Sequence, residues 1–564
     1  MASTTTVPDP DILAPGPTPA AQSALRRHAG AALSRAAAWC EAHPPAIMAL
    51  IVLLYLPAVL YASSIKPLWH DELYTLWIAQ APSLRSMWDL ARVYDLNPPL
   101  PFVATHASYV AFGIGTLSTR LPEIIAFLGA LLCLFAIVRR RMGVLFGLFA
   151  VTLLMASPAF ALAIEARPYG LMFCFFLAAV LCWQRAAEVP RRACWIVSLA
   201  LTLTALLLSH VFGLAAAVAL LAAELLRSWQ RRRLDLPLLA AILLPFPVIT
   251  LYVPLFANHG SALYPLYYQP TLAKMAGFYV YAASSETIIL FATLAALVLF
   301  LGVDQLGVER PTRGPFWSFP TPELALFAFV LALPLALMVF LLHTHGAFFL
   351  RYGALASFAL EVFAVALAGR LTLLRDTTGW RLDPRVALLG SLTALAFSGI
   401  LPAAAHAISS GAILPTAAHA EPKLTPCDAC ARTAQLDPTL PLVDASGLTF
   451  LEMSHRESSA TTSRLFYLVD PAASARYAHA NIFERMPAVL AAFHLPGQSV
   501  PYAAFTAAHP RFFVLGAKEY PEDWLLAKLQ ADGASIRLVA HTADDYHVSS
   551  ELYEVQMPSA SASR

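Results

Sequence analysis

The chain has 564 residues, 59% of them apolar and only 13% charged, with a mean hydropathy of +0.64. That balance excludes a soluble globular protein of this length and reads as a polytopic membrane protein. The formal net charge of +2 leaves no footprint for a nucleic-acid partner, so the informative charges are the basic clusters between apolar runs.

Residues 1–23 are rich in Pro, Thr and Ala, carry almost no large apolar side chain, and are expected to form a disordered cytoplasmic tail. The first apolar run starts near 46 and is as long as a full span, so it is expected to stay as an anchor rather than be cleaved as a leader. Runs of about 20 residues, enough to cross ~30 Å of hydrocarbon, are read at 46–63, 121–138, 144–163, 170–184, 194–212, 213–226, 236–256, 286–303, 323–342, 353–369 and 386–405. The expected fold is an all-α bundle of about eleven transmembrane helices over 45–405.

Basic residues orient it. Counted in order from a cytoplasmic N-terminus, Arg26, Arg27, Arg35, Arg139 to Arg141, Arg185, Arg191, Arg192, Arg227 and Arg231 to Arg233 all fall inside. Arg310, Arg313, Arg370, Arg375, Arg381 and Arg385 do so as well, as the positive-inside rule requires of a plasma (inner) membrane protein. The apolar segment 97–115 would reverse every later loop if it crossed. It is read as an interfacial helix, which makes 64–120 one external loop with two amphipathic helices against the membrane lipids.

Beyond 405 the character changes. Residues 406–435 read as a linker, and 436–564 alternate strand-like LPLVDAS, RLFYLVD, RFFVLGA, SIRLVAH and ELYEV with helix-like LTFLEMSHRE, IFERMPAVLAAF and EDWLLAKLQADG. This is the pattern of a small, mostly parallel α/β domain, extracytoplasmic by span parity and without a glycine-rich phosphate loop. Cys427 and Cys430 form a lone CxxC that could be half a metal site or a redox pair; outside the cell a structural disulfide is the expected form.

The stretch KPLWHDELYTLWIAQ, 66–80, sets Asp71 and Glu72 among aromatic and aliphatic residues directly after the first span. Two acids in the first turn of a helix can simply complement its dipole. The topology, however, brings Glu165 and Arg167 of AIEARPYG and Arg351 and Tyr352 of FFLRYG to the same outer face. Either pair alone could snorkel from a span end, but the three together form a polar group where polar groups are expensive. A carboxylate beside guanidiniums at an outer interface suits transfer of a sugar from a lipid-anchored phosphate. The acid takes the acceptor's hydroxyl proton, and Arg pairs with the phosphate as its charge grows. The loop 257–285 carries Tyr264, Tyr267, Tyr268, Phe278, Tyr279 and Tyr281, readable as an interfacial aromatic belt or as a lid over sugar or acceptor, with Lys274 as a further phosphate contact.

Asp71-Glu72, Asp95-Leu-Asn97-Pro98-Pro99-Leu100, Arg120-Leu-Pro122, Glu165-Ala-Arg167-Pro-Tyr169 and Arg351-Tyr352, in this order and topology, resemble the bacterial members of the dolichyl-phosphate-mannose-protein mannosyltransferase-like superfamily. These are GT-C fold glycosyltransferases of the ArnT and Rgt type, and the likeness covers about 45–370. The resemblance implies an inverting glycosyltransferase with a polyprenyl-phosphate sugar donor and a lipid, glycan or protein acceptor. Asp71 would be its general base, with Glu72 and Glu165 as further active-site acids. Arg167 and Arg351, with Tyr352 and Lys274, would meet the donor phosphate. Asp95, Asn97, Tyr169, Tyr267 and Tyr268 would contact substrate. Many members carry His where this chain has Asn97, so a proton or divalent-metal role of that His is in question here; His70 could stand in. A plain interfacial histidine is the other reading of His70. No cofactor is required by the pattern, and a divalent metal is left open. Because the matching motifs end near 370, the C-terminal region is expected to be separable from the chemistry.

Two other classes compete. A transporter or flippase of lipid-linked sugars would show charges deep in its spans, an internal repeat or paired broken helices, none of which is read here. A non-catalytic scaffold presenting the C-terminal domain would be indifferent to loss of Asp71.

Overall fold

The computed structural model describes residues 19–259, 270–283, 319–344, 348–371, 373–376, 379–409, 427–516, 524–542 and 550–558. Five helices among them are long and apolar enough to cross a membrane: Pro44–Ile65, Thr116–Met142, Tyr169–Glu188, Leu236–Asn258 and Thr321–His343. A sixth candidate is the pair Val144–Met155 and Pro158–Ile164, bent by 75° at a short break. The chain is thus a multi-pass membrane protein. Its spans are packed on one side and apolar on the other, where Leu53, Leu201, Val339 and Phe340 are exposed, as lipid-facing side chains must be.

The remaining expected spans take other forms. Residues 194–212 and 353–369 fold as the shorter helices Ala193–Ser209 and Leu355–Leu371, and 213–226 lies within Gly213–Gln230. The run 386–405 is divided into Pro384–Phe397 and Ile400–Ser409 at Gly399, whose φ of +68° a side chain would strain. The run 286–303 lies outside the described residues. Most of the expected tail does too, although Pro19 already opens a helix that runs to Ala42. Residues 97–115 do form the expected short helix, Leu100–Phe112. The loop before the second long helix carries three helices rather than two, His70–Ala79, Leu84–Tyr94 and Leu100–Phe112.

One expectation needs correcting: a charged residue does sit deep in a span. Glu361 lies within Leu355–Leu371, fully buried, with neither carboxylate oxygen hydrogen-bonded to any described residue. At the basic ends the helices are tied by ions. The carboxylate of Glu41 accepts Val144 N and Leu145 N, each at 2.9 Å, capping the next helix. Arg141 reaches from Thr116–Met142 to Glu323 and Glu188.

The C-terminal region holds a six-stranded sheet ordered Gln498–Pro501, Leu465–Val469, Leu442–Asp444, Arg511–Gly516, Ser550–Gln556 and Ser535–Thr542. The first four strands run parallel and the last two pair antiparallel. All five expected strands are present. The edge strand Gln498–Pro501 was hidden by its polarity and its proline, which only an edge tolerates. Cys427 and Cys430 form the expected disulfide at the start of the helix Asp428–Leu436.

Candidate active site

The helix His70–Ala79 puts Asp71 and Glu72 in its first turn, and their side chains diverge. Glu72 turns inward and is wholly buried. Its oxygens take Arg120 Nε at 2.7 Å and Arg120 Nη2 at 2.6 Å, together with Ala166 N at 2.6 Å. Arg120 spends its remaining donors on the carbonyls of Ser63, Lys66 and Pro67. Every polar atom of this pair is engaged, as a buried pair needs.

Asp71 turns the other way, into a half-open site. Its Oδ2 accepts Arg351 Nη2 at 2.7 Å and stands 3.9 Å from Arg167 Nε, while Oδ1 is 3.9 Å from His70 Nε2. Burial alone would raise its pKa, but the guanidiniums of Arg351 and Arg167 outweigh that and hold the carboxyl down at about 2. Arg351 comes from the short 3₁₀ turn Leu350–Gly353, and its guanidinium lies over Trp69 at 5.1 Å and Phe349 at 5.0 Å. Gly353 is what lets that turn settle, because a Cβ there would come within 2.3 Å of the Phe278 ring.

Arg167 follows the bent pair Val144–Met155 and Pro158–Ile164. Its segment is fixed to the Asp71 helix through Ala166, whose N–H goes to Glu72 and whose carbonyl accepts Thr75 Oγ1 at 2.8 Å. Arg167 Nη1 donates to Asp95 Oδ2 at 2.9 Å and to the Asp71 carbonyl at 3.2 Å. Its Nε is buried and hydrogen-bonded to no described residue. Asp95 Oδ1 in turn accepts Asn97 N at 2.9 Å and Asn97 Nδ2 at 2.6 Å. Burial would lower the pKa of Arg167, but Asp95 and Asp71 raise it.

Of the other expected residues, Glu165 pairs with Lys66 Nζ at 3.0 Å. Tyr169 is buried against His210, ring centroids 5.0 Å apart. Tyr352 packs edge-on to Phe212 at 4.9 Å. Lys274 sits at the start of the helix Leu272–Ala283, where its N–H goes to Thr271 Oγ1. Tyr267 and Tyr268 lie outside the described residues. With two guanidiniums already facing Asp71, the donor set there suits an anion better than a divalent metal.

Sequence reasoning missed three partners. Arg120, quoted in the Arg120-Leu-Pro122 motif but given no role, is the mate of Glu72, and its signal was a lone Arg near the start of an apolar helix. Lys66 opens the stretch KPLWHDELYTLWIAQ but was given no role. The third lies in the C-terminal region: Glu452 Oε1 accepts His70 N at 3.0 Å and lies 3.1 Å from His70 Nδ1, while Arg456 Nη2 donates to Glu452 Oε2 at 3.0 Å and to the Leu68 carbonyl at 2.7 Å. Around them Phe493 packs on Trp77, Tyr74 and Tyr94.

Residues 97–252 match a family model described as dolichyl-phosphate-mannose-protein mannosyltransferase. Among solved structures, ArnT from Cupriavidus metallidurans bound to undecaprenyl phosphate aligns with a TM-score of 0.40 and 16% identity over 90% of this chain and 97% of that one. ArnT in the apo state aligns with a TM-score of 0.39 and 15% identity over the same shares. No curated protein matches the chain.

Proposed function

We propose that this multi-pass membrane chain, whose residues 97–252 match the family model described as dolichyl-phosphate-mannose-protein mannosyltransferase, is a glycosyltransferase that moves a sugar from a polyprenyl-phosphate donor to an extracytoplasmic acceptor hydroxyl with inversion. The observation that carries this reading is Asp71, an ionised carboxylate facing two arginines, Arg351 and Arg167.

In the proposed step the acceptor oxygen attacks the anomeric carbon, the bond from that carbon to the phosphate oxygen breaks, and polyprenyl phosphate leaves with the electron pair. Asp71 takes the acceptor's proton. Arg351 and Arg167 Nε, with Tyr352 and Lys274 at the rim, meet the leaving phosphate. A carboxyl held near 2 is a weak base. A phosphate that draws Arg351 toward itself removes the largest favourable charge beside Asp71, which strengthens the base as the donor binds. Glu72 acts by holding the Asp71 helix and Ala166 in register; Asp95 and Asn97 set Arg167. Glu165 and Tyr169 are assigned to the sugar site, and Tyr267 and Tyr268 stay candidates for substrate contact from their sequence alone.

The test is transfer from a synthetic polyprenyl-phosphate sugar by the full chain in nanodiscs, with glycans and lipid-linked sugars of cells with and without the gene compared by mass spectrometry. Flux of the lipid-linked sugar across the bilayer without a new glycosidic bond would reject the proposal in favour of a flippase.

A further inference from the structure

We propose that the C-terminal α/β region completes the proton path of this site: Glu452 is a positioning residue that holds the His70 imidazole with its hydrogen on Nδ1, and His70 Nε2 receives the proton that Asp71 collects. The inference rests on the reading of Asp71 as the base.

Glu452 is bound from both sides. Its Oε1 takes the His70 backbone N–H and faces His70 Nδ1 at 3.1 Å, and its Oε2 takes Arg456. The side chains of Glu452 and Arg456 are only 3% and 4% exposed. An ionised carboxylate can only accept, so the hydrogen between it and the ring belongs to Nδ1. That leaves Nε2 with its lone pair, 3.9 Å from Asp71 Oδ1. The Trp69 ring stands edge-on to the imidazole at 4.7 Å and limits its rotation. Arg456 fixes the same unit to the main chain through the Leu68 carbonyl, two residues before His70.

The need for such a path follows from the electrostatics of Asp71. When polyprenyl phosphate leaves and Arg351 returns to Asp71, the two arginines again hold the carboxyl low, so it sheds the proton, which requires a next stop. His70 Nε2 stands 3.9 Å from Asp71 Oδ1, a gap that a small rotation of the carboxyl closes to hydrogen-bond length, and the His70 side chain is 18% exposed, which opens a route to water. The proton passes from the acceptor hydroxyl to Asp71, then to Nε2, while Nδ1–H remains on Glu452. It then leaves from Nε2 to solvent, so the ring ends neutral as it began.

The experiment uses the full chain in nanodiscs and two independent readouts. In the transfer assay, His70→Ala and Glu452→Ala should each lower kcat by roughly 10²-fold with donor KM unchanged, and the double variant should be no slower than either single one. Imidazole added to the buffer should restore His70→Ala and leave Asp71→Asn inactive. Additive losses, or a normal kcat in His70→Ala, would overturn the relay. Nitrogen-15 spectra of histidine-labelled protein, with the His70 signal assigned by its loss in His70→Ala, should show hydrogen on Nδ1 in the unsubstituted chain. This readout needs neither activity nor a folded Glu452 variant. Hydrogen on Nε2 in an active chain would overturn this inference alone. An inactive unsubstituted chain would overturn the functional reading and the relay with it.

Discussion

Arg120 and Glu72 meet fork to fork, Nε to Oε1 and Nη2 to Oε2, with neither side chain reaching solvent. The second acid of the Asp71-Glu72 pair is therefore part of the frame. Removing one member leaves the other charged and buried, at a cost of about 3–5 kcal/mol. Arg120→Ala should lower the thermal midpoint and the yield of monodisperse protein in detergent. Arg120→Lys should recover little, since an ammonium cannot reproduce the fork. Thermal unfolding followed by size exclusion measures both, and an unshifted midpoint in Arg120→Ala would show that the pair adds nothing.

Asp71 and Arg351 should separate in kinetics. Asp71→Asn keeps the shape and removes the proton acceptor, so transfer falls by about 10² to 10⁴ while polyprenyl phosphate still binds. Arg351→Ala removes a charge-assisted contact and should chiefly weaken donor affinity. Turnover near normal in Asp71→Asn would move suspicion to Glu165, and unchanged donor affinity in Arg351→Ala would take Arg351 out of the phosphate site.

Acid should loosen the same cluster. The Asp71 carboxyl lies at about 2 in the folded protein, below its ordinary 3.8. A depressed carboxyl stabilises the fold above the unfolded value, and that contribution is lost as pH falls from about 4 toward 2. Between those limits the unfolding midpoint should drop less steeply in Asp71→Asn than in the unsubstituted chain. Parallel curves would mean that Asp71 carries no such linkage.

Orientation can be read by labelling. Cysteines introduced near 100 and near 480 should react with a membrane-impermeant maleimide in intact spheroplasts, and one near Arg140 only after permeabilisation. The reverse pattern would place the Asp71 cluster inside the cell, away from an extracytoplasmic acceptor.

Much of this arrangement was legible because hydropathy and basic clusters report on the membrane directly. Those signals were enough to bring Asp71, Arg167 and Arg351 to one face although Arg351 lies 280 positions from Asp71. What they could not report is partner choice within that face. Glu72 and Asp71 are adjacent and chemically alike, and only the helix phase decides that one meets Arg120 and the other Arg351. Glu452 was further from view, 382 positions from His70, in a region whose sequence shows no evident catalytic cluster. For the same reason the C-terminal region looked separable. Its Glu452, Arg456 and Phe493 contacts run straight to the Asp71 helix, so deleting 436–564 strips support from the site itself.

The helix Val144–Met155 has twelve residues before the chain turns by 75°. At 1.5 Å per residue it rises about 18 Å, well short of the ~30 Å hydrocarbon layer. With Arg139 to Arg141 at one face of the layer, the turn delivers Glu165 and Arg167 short of the opposite face. All twelve residues of the helix are buried, so neighbouring helices rather than lipid surround this short rise. On the proposed reading a lipid-anchored donor reaches Arg167 from within the layer while a water-borne acceptor comes from the aqueous side, so the two substrates need not share one entrance.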